Sequence, residues 1–230
     1  MNDTFILVTP RLLRLSDSQI PFPSRQSKGH ARDEQQFPPV RISGRSLFLD
    51  RWSPRAFDGD DYAKEHLLTI LDAAHWAPSA SNHQPWRFVY AHKGSAQLAT
   101  LRGAAHGRKP ALGEECLRAA LASPATTIFR DGEKKPSATH SFDAGAAWFS
   151  LAMQAHLLGY HAHGMAGIFN DKIVETLNVP DGYVVEAAVA IGTLTDKSPL
   201  PENLAERETP SKRLPLADVA FEGGFTGKAD

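Results

Sequence analysis

Cysteine is nearly absent: one in 230 residues, which excludes an intrachain disulfide framework and any cysteine-rich zinc or iron–sulfur site. Cys116 has no local nucleophile signature and reads as a buried or incidental thiol. A surplus of either charge is also missing. With 25 basic and 26 acidic side chains the formal net charge is −1, and no nucleic-acid partner is expected. Long apolar runs are lacking as well. The best N-terminal candidate, Phe5-Ile6-Leu7-Val8, stops at Thr9-Pro10, far short of the roughly 20 residues that cross a bilayer and too short for a signal-peptide core. The expectation is a cytoplasmic protein with no membrane partner. Neither a Gly-x-Gly-x-x-Gly, a Gly-x-x-x-x-Gly-Lys nor a Gly-x-Ser-x-Gly occurs, which removes Rossmann and P-loop sites and the nucleophile elbow. His161 and His163 have no acidic residue or third histidine at ligand spacing, so no metal site is expected.

What remains is enough for one large domain with an extension, because 42% of the residues are hydrophobic and a domain typically needs about 150 residues. Residues 1–44 differ from the rest. They carry Pro10, Pro21, Pro23, Pro38 and Pro39, a polar run from Ser24 to Gln36, and no period of 2 or 3.6, and read as a disordered or loosely attached extension without assigned function. From about Arg45 the pattern becomes organised. Leu67, Ile70, Leu71 and Ala74 describe an amphipathic helix, with Asp60-Asp61 as its N-terminal cap and Pro78 as its limit. Trp86 to Ala91, Ala125 to Phe129 and Tyr183 to Ile191, the last ended by Gly192, read as strands. Asp143 to Leu158 is apolar on nearly all sides and closes on Gly159, which predicts a helix buried at the centre of the fold or in an interface. Asp171 to Leu177 reads as a short capped helix. From about residue 197 the chain is a proline-spaced tail, with Val219-Ala220-Phe221 as a last short strand; so long a tail must lie on its own domain or on a partner subunit.

Two stretches carry candidate chemistry. In Arg51-Trp52-Ser53-Pro54-Arg55-Ala56-Phe57, two guanidinium groups and a hydroxyl flank a proline. Arginine recognises phosphate in a planar, bidentate way, so the segment suits an anionic ligand, although a solvated arginine pair has the same composition. In Ala77-Pro78-Ser79-Ala80-Ser81-Asn82-His83-Gln84-Pro85-Trp86, two prolines fix a loop of small hydroxyl and amide side chains. Such a loop suits the polar edge of a planar heterocycle, and equally a plain surface turn.

Together the two stretches resemble the nitroreductase family of FMN-dependent oxidoreductases. The blocks Arg51, Ser53, Arg55, Phe57 and Ala77-Pro78-Ser79, Asn82, Gln84-Pro85-Trp86 are followed in order by Asp143-x-Gly145, Leu158-Gly159, Gly164-Met165-Ala166-Gly167, Pro180, Ala190-Ile191-Gly192 and Lys212-Arg213-Leu214-Pro215. The resemblance covers about Arg45 to Phe225. It implies an α+β fold with a mixed central sheet flanked by helices, in an intertwined homodimer whose C-terminal tail, about 197–230, wraps the partner and exchanges a strand. It further implies that Arg51 and Arg213 pair with the FMN phosphate, that Ser53 bonds phosphate or ribityl chain, and that Arg55 approaches the N1–C2 edge of the flavin. Trp52 and Gln84 lie in the same two stretches and are counted with the cofactor-binding set. Pro78, Ser79, Ala80 and Asn82 are expected from the neighbouring subunit, and the backbone of Ala166 and Gly167 is expected to face flavin N5 and O4. Lys212 stands one position away from the family's usual basic residue, where this chain has Ser211, and it is the candidate to replace it. No side chain is expected to act as a catalytic nucleophile. The implied reaction is ping-pong hydride transfer from NADH or NADPH through FMN to a small acceptor such as a nitroaromatic or quinone. Reductive dehalogenation, flavin cleavage, small-aldehyde reduction and a non-catalytic flavin-binding dimer remain alternatives.

Overall fold

The computed structural model describes residues 45–58, 63–91, 95–96, 98–99, 103, 120–122, 126–130, 132–197 and 200–227. The expected extension 1–44, the Asp60-Asp61 cap, Cys116 and the last three residues of the tail lie outside them. The elements are helices α1 (Arg45–Asp50), α2 (Lys64–His75), α3 (His140–Leu157), α4 (Asn170–Thr176) and α5 (Glu202–Ala205), and strands β1 (Phe88–Val89), β2 (Ala120–Ala122), β3 (Thr127–Arg130), β4 (Glu133–Pro136), β5 (His161–Met165) and β6 (Ala187–Gly192). This is the α+β architecture that the resemblance implies.

Four strands form a sheet in the order β1-β2-β6-β5, and β3 pairs with β4 in a separate hairpin. Every pairing among the described strands is antiparallel. Alternation along β6 divides the interior in two, because successive side chains of a strand leave on opposite faces. Val189 and Ile191 join Leu67, Ile70 and Ala74 of α2 and Ala147, Leu151 and Ala155 of α3. Ala188 and Ala190 join Phe57, Ala91, Leu98, Ile173 and Val185 on the other face. Each fully buried Leu or Ile in these clusters contributes about 1.5–3 kcal/mol by leaving water.

The periodic helix forms as expected, with Leu67, Ile70 and Ala74 inward. Ala63 precedes it and makes no side-chain cap bond, and the expected Asp60-Asp61 cap lies outside the described residues. The short helix α4 likewise has no side-chain cap. In α3 the run continues to Leu157 and Gly159 takes φ +82, the left-handed step that lets the chain turn sharply into β5. The helix is not buried on all sides of the single chain, since Phe142, Phe149 and Leu157 are exposed. Gly192 is required by contact, because a Cβ there would sit 2.9 Å from Phe57 Cδ1.

Several strand expectations change. Trp86–Ala91 reduces to Phe88–Val89, because Trp86 is drawn into the core between α2 and α3 instead of into a ladder. The strand expected at 125–129 is Thr127–Arg130 and belongs to the hairpin. β6 begins at Ala187, four residues later than expected. Val219-Ala220-Phe221 is not a strand in this chain; it follows a 3-10 turn at Leu216–Asp218. No helix among the described residues is long and apolar enough to cross a membrane.

Candidate cofactor site

The arginine-bearing segment is laid against the edge of the sheet by its own backbone. Phe57 bridges Leu194, Asp58 N donates to Thr193 O at 3.0 Å, and Thr195 N donates to Ala56 O at 3.2 Å. Upstream, the segment runs alongside β5: Trp52 packs edge-on to His161 at 6.4 Å between ring centroids, and His163 Nδ1 donates to Pro54 O at 2.7 Å. Trp52 meeting His161 and Pro54 meeting His163 gives the two stretches the same direction.

Arg51 and Arg213 are brought together. Burial lowers the Arg51 pKa from its ordinary value, and the neighbouring Arg213 cation lowers it further. Among the described residues neither guanidinium pairs with a carboxylate; Arg213 Nη1 donates only to the carbonyls of Ser211 and Lys212, at 3.0 and 3.2 Å. Lys212 is exposed beside it. Arg51 also faces His156, whose pKa is lowered chiefly by burial, raised by Asp50 and lowered by Arg51. Two mutually repelling cations form a site for a strong anion, because a phosphate relieves the repulsion and accepts from both.

Arg55 has different company. Glu208 is 5% exposed, and its Oε1 accepts from the backbone amides of Arg55 and Ala56 at 2.6 and 2.8 Å. Its Oε2 stands 3.5 Å from Arg55 Nη1, and that nitrogen also donates to Arg207 O. Glu208 was not singled out in the sequence, where Arg-Glu-Thr-Pro reads as an ordinary polar tail. His163 was set aside as part of a histidine pair, yet it holds the Pro54 carbonyl between the two arginines. Burial lowers its pKa, the Pro54 bond opposes that, and the Arg55 charge lowers it again.

The second stretch is a strained, pinned loop. Ser81, Asn82 and Gln84 have φ of 49, 55 and 49, a left-handed backbone that costs about 1–2 kcal/mol for an ordinary L-residue and less for Asn. Gln84 N donates to Ser79 Oγ at 3.0 Å, Gln84 Nε2 to Asn82 O at 3.2 Å, and Ala80 N to Asp143 Oδ1 at 3.2 Å, beside backbone bonds from Asn82 N to Ser79 O and His83 N to Ala80 O, both at 3.0 Å. Asp143 is 2% exposed, and its other oxygen accepts from Thr139 Oγ1, so the first turn of α3 anchors the loop. No hydrogen bond, ion pair or ring contact among the described residues joins Pro78, Ser79, Ala80, Asn82 or Gln84 to Arg51, Trp52, Ser53 or Arg55.

Ala166 and Gly167 follow β5 directly, and Ile168 N donates back to Ala166 O at 2.9 Å. A Cβ built on Gly167 would meet no atom within 4 Å. The chain itself therefore does not demand glycine there, while a planar ring stacked on the backbone would. The donor set as a whole fits FMN: paired cations for a phosphate, a third arginine on the same segment, and an open backbone patch after β5.

Known proteins resemble this chain in sequence and fold. Residues 49–193 match the Nitroreductase family. A curated NADH dehydrogenase of Thermus thermophilus is 30% identical, with 78% of this chain and 96% of that protein aligned. An uncharacterized 15.4 kDa protein of Mycolicibacterium smegmatis is 41% identical over 95 residues, and the match spans only 64% of its length and 40% of this chain. A crystal structure of an oxidoreductase containing FMN is 63% identical, with TM-score 0.79 over 86% of this chain and 100% of that one. A nitroreductase family protein from Clostridium difficile, at 22% identity and TM-score 0.59, covers 78% of this chain and 98% of its own and shares the fold. The chain belongs to the nitroreductase family.

Proposed function

We propose that the chain is an FMN-dependent NAD(P)H oxidoreductase acting on a small acceptor such as a nitroaromatic or quinone. The observation that carries the reading is the Arg51–Arg213 pair, two cations drawn together from opposite ends of the domain. The FMN in the crystal structure that is 63% identical supports the same cofactor. When bound, FMN supplies the hydride-transfer chemistry, taking two electrons from NADH or NADPH and passing them to the acceptor in alternating half-reactions.

The chain's own residues then bind and orient. Arg51, Arg213 and Ser53 hold the phosphate end, with Lys212 alongside. Arg55 presents a fixed positive charge to the N1–C2 edge, where negative charge collects on reduction. The amides at Ala166 and Gly167 face N5 and O4 without needing a particular side chain. Trp52 fixes the segment against His161.

The loop Pro78–Gln84 completes the site of a second copy in an obligate homodimer. Two features support this. Among the described residues the loop makes no hydrogen bond, ion pair or ring contact with its own chain's arginine segment, and large apolar side chains remain exposed: Phe142 at 81% and Phe225 at 79%, with Phe48, Phe149, Leu214, Leu216 and Val219. So much exposed apolar surface on one chain marks an interaction face. Phe48 and Phe149 already stack on each other at 6.0 Å, one on α1 and one on α3.

The test is direct. The purified protein is titrated with FMN, its flavin spectrum and sedimentation are recorded, and NAD(P)H oxidation is followed with a panel of acceptors. The expected result is a yellow dimer with one FMN per chain that turns over many times. Absence of FMN uptake, or a single stoichiometric reduction without turnover, overturns the reading.

A further inference from the structure

We propose that Glu208 is the positioning residue for Arg55: it fixes the backbone from which that arginine springs and balances its charge at the flavin edge. The inference rests on the reading of Arg55 as a flavin-facing cation, and it concerns a carboxylate in the tail, 153 residues along the chain from that arginine.

The geometry is a closed loop of contacts. The ladder between residues 56–58 and 193–195 ends at Ala56, whose carbonyl takes the Thr195 amide. The amides of Arg55 and Ala56 need another acceptor, and Glu208 Oε1 takes both. Glu208 Oε2 meets the guanidinium of the same Arg55 at 3.5 Å. One carboxylate thus holds the main chain and the side chain of a single residue, so Arg55 is directed back along its own backbone and cannot swing freely. The anchor is itself fixed: Leu200 is buried, α5 follows, and Glu208 N donates to Ala205 O at 3.3 Å.

The electrostatic consequence separates Arg55 from Arg51. A carboxylate beside a guanidinium reduces the field the cation projects onto a third group. At the phosphate end such neutralisation would weaken binding, and among the described residues no salt bridge joins Arg51 or Arg213 to a carboxylate. At the flavin edge the charge that develops is partial and appears only on reduction, so the balance between Arg55 and Glu208 sets how strongly reduction is favoured.

The experiment is a double-mutant cycle on the FMN-loaded protein, read as the midpoint potential of the bound flavin together with FMN affinity. The variants are Glu208→Gln, Arg55→Ala and the two combined. Glutamine keeps an oxygen for the two amides, so the fold and FMN uptake are retained while the charge is removed. The expected result is that E208Q changes the flavin's reduction equilibrium by about tenfold, about 30 mV for a two-electron couple, and leaves it unchanged when Arg55 is already alanine. An equal change in both backgrounds, or none in either, overturns the proposal, because a merely structural glutamate has no reason to act through Arg55. FMN titration of the unsubstituted chain is done first. If that chain takes up no FMN, the functional reading fails, which is distinct from a flavin-loaded cycle showing no coupling.

Discussion

Arg51 and Arg55 are four residues apart on one segment and live in opposite electrostatic surroundings. Arg51 faces another cation, Arg213, and its charge is disfavoured by burial and repulsion. Arg55 faces a buried carboxylate that also holds its backbone. The difference separates two tasks. A site for a permanently charged phosphate gains from uncompensated cations, which the ligand itself neutralises. A site for charge that appears only during reaction gains from a cation that is held and balanced in advance, so little has to reorganise when the charge arrives. Pro54 sits between the two, and His163 fastens its carbonyl.

The largest expected effect comes from breaking the uncompensated end. Charge-assisted hydrogen bonds contribute about 1.5–3 kcal/mol each, so Arg51→Ala or Arg213→Ala is expected to weaken FMN binding by about ten- to a hundredfold in a fluorescence titration. The apo protein should not lose stability in proportion, because removing one cation also removes the repulsion on the other. Unchanged flavin occupancy in both variants would erase the distinction between the two arginines.

A smaller effect tests the fastening between them. His163 holds a proton less readily in the folded chain than in the unfolded one, because burial lowers its pKa and the Arg55 charge adds to this, against the opposing Pro54 bond. In the unfolded chain it titrates near 6.5. The unfolded state thus binds more protons as pH falls through that value, so stability from this residue is present above about pH 6.5 and lost below it. His156, lowered in the same direction, adds to the slope. The melting temperature of the apo protein is expected to be flat from pH 8 to 7 and to fall below 6.5. His163→Asn, whose amide can still donate to Pro54 O, should flatten the fall. An identical slope in that variant would show that the histidine does not titrate with unfolding.

Much of this was legible in the sequence, for identifiable reasons. The helix α2 follows from the spacing of Leu67, Ile70 and Ala74, and α3 from an apolar run closed by Gly159. Arg51, Ser53 and Arg55 stood out because charge was concentrated around a proline. β5 was not anticipated, because His161-Ala162-His163-Gly164-Met165 has no β-branched residue; its place is set by pairing with β6 and by Trp148 lying 3.2 Å from where a Gly164 Cβ would be. Trp86 was read as strand because aromatics favour sheets, whereas here it fills the space between two helices. Glu208 was invisible for a different reason. Its partner Arg55 is 153 residues away, and no local pattern marks a glutamate that will be buried by a fold assembled elsewhere.

The smallest expected effect concerns Lys212, and it sharpens the comparison from the side of the phosphate. The position one residue earlier, Ser211, carries no charge, and its carbonyl is used to hold Arg213 Nη1. The Lys212 carbonyl does the same, so the main chain at both residues serves to aim Arg213. Lys212 itself is exposed, and an exposed, flexible ammonium typically contributes no more than about 1 kcal/mol to a pair. Lys212→Ala is therefore expected to weaken FMN binding by a factor of about two to five, well below the loss in Arg213→Ala, and the difference should shrink in high salt as screening removes what a solvent-exposed charge contributes. A loss as large as that of Arg213→Ala, insensitive to salt, would mean that the ammonium reaches the phosphate directly and that the uncompensated end of the site is built from three cations.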